Sequence, residues 1–185
     1  MKLSRTHTSS WRWQREGLLG AVSAGMFLLL IGIIVLATPG LVEKIVAYFQ
    51  DFTLVSTRFI GTDFSLPAPE RPTNHLAVYQ ATLQFCIAWG VFEVLLLALR
   101  FWFRSSVRKK GETISNIVFW LGTAYTIQTM LITMPSSIPL SHGRWFEFWA
   151  ILVVVLGVSL VVRALYLAVT WLFSRGHLYA TPSTA

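Results

Sequence analysis

Four long apolar runs, separated by shorter polar segments, dominate the hydropathy pattern of this chain. They cover about residues 17–37, 76–103, 114–134 and 145–173. Each run reaches or exceeds the roughly 20 residues that cross a bilayer as a helix. We therefore predict an all-α integral membrane protein with four transmembrane helices, in which residues 1–185 form a single membrane domain.

The connection between the first two runs, residues 38–75, is predicted to contain an amphipathic helix over about residues 41–60. Its apolar positions recur at steps of three and four, the helical period. They are Leu41, Ile45, Tyr48, Phe49, Phe52, Val55 and Phe59. Charged and amide residues occupy the other side, so this helix is too polar to span the bilayer. We expect it on the outer membrane face or folded over the bundle. Three prolines follow it and favour an extended connection.

The basic residues predict how the chain is oriented. Residues 1–16, 104–113 and 174–185 carry lysine or arginine, whereas the connection at residues 135–144 has one arginine and no lysine. The basic side of a membrane protein is cytoplasmic. We therefore predict a multi-pass protein of the cell membrane with both termini in the cytoplasm and residues 38–75 outside.

Composition supports the membrane class and excludes others. Of the 185 residues, 55% are hydrophobic and 12% are charged, against about 25% charged in soluble domains. The net charge of +7 arises mostly in segments that flank the runs, so we predict no nucleic-acid partner. Cys86 is the single cysteine, which excludes an intramolecular disulfide. A cleaved signal peptide is an alternative for the first run, but the apolar core of such a peptide has only about 7–15 residues.

Two charged residues lie inside the predicted spans, Glu93 in the second and Arg163 in the fourth. Both lie about 17–18 residues from the outer ends of their helices, which places them at a matching depth. Charges in a bilayer need partners, so we predict a Glu93–Arg163 ion pair. The alternative is that each side chain extends to the cytoplasmic interface. Gln84 and Gln128 form a second candidate contact, a polar layer that joins the second and third spans.

Small residues form a stripe along the first span. Gly17, Ala21, Gly25 and Gly32 share nearly one helix face. Such a stripe allows two helix backbones to approach closely in lipid. It predicts either self-association or packing against another span of the same chain.

The histidines and tryptophans are the remaining candidates for chemistry. His75 and His142 are weak candidates for a metal site at the outer face, with acidic residues nearby, but sequence spacing does not bring them together. We predict no metal and no cofactor. Tryptophans near the ends of the spans, among them Trp145 and Trp149, indicate headgroup-level anchoring. A lipid or quinone pocket is the alternative.

These features favour a non-catalytic membrane subunit. We expect it to assemble through helix contacts, as a homo-oligomer or as an accessory subunit of a larger complex, with the lipid bilayer and other membrane chains as its partners. A small oligomeric channel or transporter with its pore between protomers is the alternative. An enzyme acting on lipid or quinone comes third, since the chain has no phosphate loop, zinc-protease motif or nucleophile elbow.

Overall fold

The computed structural model describes residues 7–59, 62–103, 105–133 and 142–176, and these are mostly helical. The elements, in chain order, are α1 (His7–Ala37), α2 (Leu41–Gln50), β1 (Phe52–Phe59), β2 (Thr62–Pro69), a 3₁₀ turn (Pro72–His75), α3 (Leu76–Trp102), α4 (Val107–Ile127), a π-helical turn (Gln128–Ile132) and α5 (His142–Gly176). The first and fourth predicted runs fall within α1 and α5, and the second matches α3 to within one residue. The third begins in α4 and continues through the π-helical turn toward the end of the described segment. α1, α4 and α5 begin earlier than the runs do.

Three helices of the described chain are long and apolar enough to cross a membrane. The qualifying stretches are Gly20–Ala37, Pro72–Trp102 and Gly143–Phe173. Many of their large apolar side chains are exposed, for example Leu28, Val153 and Phe173. Exposed apolar surface of this extent is suited to lipid and not to water.

α4 packs between α3 and α5, which explains why it is less apolar than its neighbours. Close approach on each side depends on a glycine. A Cβ on Gly90 of α3 would lie 2.9 Å from Cγ of Leu121, and one on Gly122 of α4 would lie 2.7 Å from Cγ1 of Val155. Helices that associate in lipid use small residues in this way. The side chain of Ser115 also crosses the interface, since its hydroxyl donates to the Ser159 carbonyl at 2.9 Å.

α1 packs mainly against α3. Phe27 meets Phe85 and Trp89 edge to face, with ring centroids 5.5 and 5.4 Å apart. Met26 and Leu30 lie against the same cluster. One side of α1 is therefore attached to the bundle, while most of its other described side chains are exposed.

The predicted helix over residues 41–60 is wrong beyond Gln50. Residues 52–59 form strand β1, which pairs antiparallel with β2 in a two-stranded sheet, from Phe52 opposite Pro69 to Phe59 opposite Thr62. Its sequence, Phe-Thr-Leu-Val-Ser-Thr-Arg-Phe, is rich in aromatic and β-branched residues, which favour strands. Prolines are tolerated in β2 because a two-stranded sheet consists only of edges. The connection that we expected to be extended is extended and also paired at Thr62–Pro69, whereas Pro72–His75 form a 3₁₀ turn.

The main core lies where the hairpin meets the ends of α3 and α5, and we call this the hairpin end of the bundle. Its buried residues come from five elements and include Ala68, Tyr79, Ile127, Trp145 and Phe148. Trp145, which we expected at a headgroup interface, is only 2% exposed. The hairpin covers it, because the Phe52 ring lies edge-on at 6.2 Å. Trp149, one turn further along α5, is 50% exposed and remains available to lipid.

Candidate functional site

Glu93 is the most buried charged residue in the described chain, with 5% of its surface exposed. It lies on the side of α3 that faces α4. The Asn116 side chain reaches across from α4, and its Nδ2 donates to Oε1 of Glu93 at 3.2 Å. A buried carboxyl without such a donor would be strongly destabilising, so Asn116 supports the presence of Glu93 at this position.

The predicted Glu93–Arg163 pair does not form. Nη2 of Arg163 instead donates to Oε1 of Glu112 at 3.1 Å. A matching depth does not make the two residues neighbours, because α4 lies between α3 and α5 and polar residues on those two helices meet α4 first. Glu112 belongs to the basic segment at the start of α4, outside the apolar run, so the hydropathy pattern does not mark it as a partner of Arg163.

Glu112 is the centre of a charged cluster at the end of the bundle opposite the hairpin, which we call the basic end. Besides Arg163, Nζ of Lys109 lies 3.2 Å and Nε of Arg108 lies 3.6 Å from its carboxylate oxygens. Burial alone would raise the pKa of Glu112. The Lys109 hydrogen bond and the three positive charges outweigh it and lower the pKa below its usual range. Arg100 from α3 donates to the Thr113 hydroxyl and the Lys109 carbonyl, which joins α3 to the same cluster.

A second polar cluster joins α2, the hairpin and α3 at the hairpin end. Oδ2 of Asp51 accepts hydrogen bonds from the Arg71 backbone N–H at 2.9 Å and from Nε2 of His75 at 2.8 Å. The Arg71 N–H and the His75 hydrogen bond hold the pKa of Asp51 below its ordinary value. A carboxylate only accepts, so Nε2 carries the hydrogen in this contact. The Asp51 carbonyl also accepts from the Glu70 N–H at 2.8 Å.

Tyr48 of α2 packs against this cluster, with its ring edge-on to His75 at 5.1 Å and to Tyr79 at 6.0 Å. Burial raises the pKa of Tyr48 to about 12, so its phenol is neutral at physiological pH. The ring therefore acts as an apolar cover over the hairpin end of α3.

Directly beneath Tyr48 is a cavity of about 220 Å³ between α3, α4 and α5. Its walls are mostly aromatic and aliphatic and include Trp145, Phe148 and Leu131. Tyr79 and Thr123 also line it, and both hydroxyls are buried without a hydrogen-bond partner. Buried polar atoms are nearly always bonded in folded proteins, and each one left unpaired costs about 1–3 kcal/mol.

A second cavity of about 300 Å³ lies between α1, α2 and α3. Its walls are almost wholly apolar, with Phe27, Ile31, Leu41 and other aliphatic side chains. The two cavities share Val78 and Thr82 of α3 as lining residues, so they lie on neighbouring sides of the same helix turn.

The predicted polar layer of Gln84 and Gln128 is not present as a contact. Both residues are exposed, and Nε2 of Gln128 donates to the Thr133 hydroxyl at 2.8 Å. The hydroxyls of Thr82 and Thr126 bond to carbonyls of the preceding turn, at Val78 and Gly122. Threonine commonly bonds to its own helix in this way, so these residues do not link the spans.

The small-residue stripe of α1 faces away from the rest of the chain. A Cβ added at Gly17, Gly25 or Gly32 would meet nothing within 4 Å, and Ala21 is exposed. At 100° per residue the centre of the stripe lies about 180° from the side formed by Met26, Leu30 and Ile34. Packing of the stripe against another helix of the same chain, one of the two expectations, is therefore wrong for the described residues.

Of the two histidine candidates for a metal site, His75 is the one whose side chain is described. Nε2 of His75 is bonded to the Asp51 carboxylate and is therefore not free to bind a metal. His142 begins α5, but its side chain lies outside the part of the structure that is described. No group of three or more His, Cys, Asp or Glu side chains suited to a metal occurs among the described residues.

Sequence reasoning missed Asp51, Glu112, Tyr79 and Thr123. Asp51 follows the last residue of α2 and precedes a run of strand-forming residues, which is a turn signal. The other three carry no local signal, because their role depends on which helices are neighbours. No protein-family model, curated protein or solved structure matched the chain.

Proposed function

We propose that this chain is a non-catalytic membrane subunit that crosses the bilayer four times and dimerises through the small-residue face of α1. The observation that carries the proposal is the open stripe at Gly17, Ala21, Gly25 and Gly32. In lipid, close packing of backbones at small residues drives helix association. A face of this kind on one helix is self-complementary, so a second copy of the same chain fits it through a two-fold axis.

The fourth span in this proposal is α4 with its π-helical turn. It has fewer apolar residues than the other three, but it packs between α3 and α5 along its length. Within the described chain, the predicted span is helical over residues 114–132, which extend roughly 28 Å, close to the about 30 Å thickness of the hydrocarbon core. Four of its polar side chains, Thr113, Ser115, Thr123 and Thr126, are buried against the neighbouring helices.

We propose that the basic end lies in the cytoplasm of a cell, together with both termini. Arg100, Arg108, Lys109 and Arg163 gather there around Glu112. Four spans return the chain to the side on which it began, and the basic N-terminal segment agrees with that side. The hairpin and α2 then lie on the outer face.

The test is to replace small residues of the stripe by leucine. Gly25→Leu and Gly32→Leu place a bulky side chain on the proposed interface, and each should weaken dimerisation at least ten-fold. Gly157→Leu is the matched control, because Gly157 is exposed on α5 with nothing within 4 Å of its Cβ position. The measurement is the monomer–dimer equilibrium in bilayers, by single-molecule photobleaching over a range of dilution.

A wild-type chain that stays monomeric at every density would overturn the proposal, as would dimers unaffected by Gly25→Leu. If the wild type is monomeric alone but co-purifies with another membrane chain that Gly25→Leu releases, the stripe serves a different partner. That result would replace the homodimer by an accessory-subunit role.

A further inference from the structure

The cavity beneath Tyr48 combines three properties of a ligand site. It lies between α3, α4 and α5, its walls are mainly aromatic and aliphatic, and two of its lining residues, Tyr79 and Thr123, carry buried hydroxyls without partners. Ligand sites are typically apolar clefts with a few convergent polar groups. The two hydroxyls belong to different helices, α3 and α4, so neither α3 nor α4 forms the site alone.

We propose that this cavity binds a membrane-soluble molecule with a flat ring that bears carbonyl oxygens and an apolar tail, of the quinone class. Tyr79 and Thr123 would donate hydrogen bonds to the ring carbonyls. A ligand group that only accepts satisfies both hydroxyls and brings no donor of its own into an apolar site.

The size and walls of the cavity favour a ring over a whole lipid. At about 220 Å³ it is larger than the about 150 Å³ cavity that holds benzene, and smaller than the roughly 300–1,000 Å³ of sites for drug-sized ligands. The rings of Tyr48, Trp145 and Phe148 surround it. Aromatic side chains of this kind pack well against a flat ring, face to face with an offset or edge to face.

The route into the cavity leads from the lipid side. Thr82 and Trp149 line it and are themselves exposed, Trp149 by 50%. Both lie on helices apolar enough to cross a membrane, α3 and α5. A molecule dissolved in the bilayer therefore reaches the site without crossing water.

The second cavity gives the tail a place. It shares Val78 and Thr82 with the first, is almost wholly apolar, and has room for about 300 Å³. An apolar tail that left the ring site along α3 would enter this second cavity and pack against its apolar walls. The adjacency of the two cavities favours a ring with a tail over a small polar solute.

The test is binding of a benzoquinone with a ten-carbon tail to the full chain in lipid nanodiscs, measured by isothermal titration. Wild type should show saturable one-to-one binding. Tyr79→Phe removes one hydroxyl and keeps the ring, so the dissociation constant should rise about ten-fold, which corresponds to the loss of one hydrogen bond. Thr123→Val should raise it several-fold. Tyr125→Phe is the matched control, because Tyr125 lies on α4 and is 72% exposed. The affinity of this variant for the quinone should equal that of the wild type.

Three results would overturn the proposal. The first is absence of saturable binding of the quinone to the wild type, in which case bound water would be the partner of the Tyr79 and Thr123 hydroxyls. The second is equal affinity in the wild type, Tyr79→Phe and Thr123→Val. The third is a phospholipid that stays with the wild type in native mass spectra, is lost from Tyr79→Phe and is not displaced by the quinone. Both substitutions preserve the shape of the side chain, so we expect both variants to fold. Thermal unfolding of each variant checks this.

Discussion

Arg163 on α5 and Glu112 on α4 form an ion pair, with 3.1 Å between Nη2 and Oε1. The pair joins the last helix to the basic segment that precedes the apolar part of α4. Glu112 also contacts Lys109 and Arg108 of its own helix, so Arg163 is the contact that acts between helices. It holds the basic ends of α4 and α5 together.

We expect a double-mutant cycle of Glu112→Gln and Arg163→Gln to give a coupling of about 0.5–1 kcal/mol. The value is modest because the side chains are 26% and 34% exposed. The measurement is the free energy of unfolding in mixed micelles. A cycle of Glu93→Gln with Arg163→Gln is the control and should give coupling near zero. Equal coupling in both cycles would contradict the observed partners.

The contact between Asn116 and Glu93 gives a second prediction. Asn116→Ala removes the donor to a carboxyl that is only 5% exposed, so it should destabilise the fold by about 1–3 kcal/mol. Adding Glu93→Gln should recover part of the loss, because a neutral amide is less costly to bury than a carboxylate. Gln84→Ala, at an exposed position of α3, should change stability by no more than about 0.5 kcal/mol. If Asn116→Ala behaves like Gln84→Ala, the contact has no stabilising role.

The Asp51 cluster predicts how stability depends on pH. The folded-state pKa of Asp51 lies below its ordinary value of 3.8. Its stabilising effect is therefore complete above pH 3.8 and is lost as the pH falls through the folded-state pKa. Asp51→Asn should thus be less stable than wild type at pH 6, and the difference should shrink toward pH 3. The exposed Glu43 on the same helix, changed to Gln, is the control. A difference between wild type and Asp51→Asn that grows on acidification would refute this account.

Close packing of α4 on α5 predicts that Gly122 does not accept a side chain. Gly122→Ala places its Cβ 2.7 Å from Cγ1 of Val155 and should destabilise the fold by about 1–3 kcal/mol. Gly157→Ala has open space around it and should be neutral or stabilising by up to about 1 kcal/mol, because alanine favours helix. Thermal unfolding in detergent measures both. Equal effects of the two variants would show that the helices separate easily at Gly122.

The hydropathy pattern was sufficient to predict the long helices but not their neighbours. The second run, predicted over residues 76–103, matches α3 at Leu76–Trp102 almost residue for residue, because a long apolar run has few other structures in lipid. The predicted partner of Arg163 was wrong because depth in the membrane does not determine which helix lies beside which.

The hairpin was missed because two periodicities overlap in the sequence. Leu41, Ile45 and Tyr48 follow the helical period, and Phe52, Val55 and Phe59 continue it by chance. The composition after Asp51 favoured a strand, but strand formation also needed a partner, and β2 is rich in prolines. In so short a segment, the aromatic and β-branched composition of Phe52–Phe59 is more informative than its periodicity.

The position of α4 between two more apolar helices also bears on how the chain is made. During synthesis α3 leaves the ribosome before α4, and α5 follows. In the four-span arrangement proposed above, a helix with as many polar side chains as α4 would gain little from lipid alone, so its retention in the bilayer would depend on α3 first and on α5 later. In that arrangement, α3 would hold α4 in place until α5 arrives and completes the packing on the other side of α4.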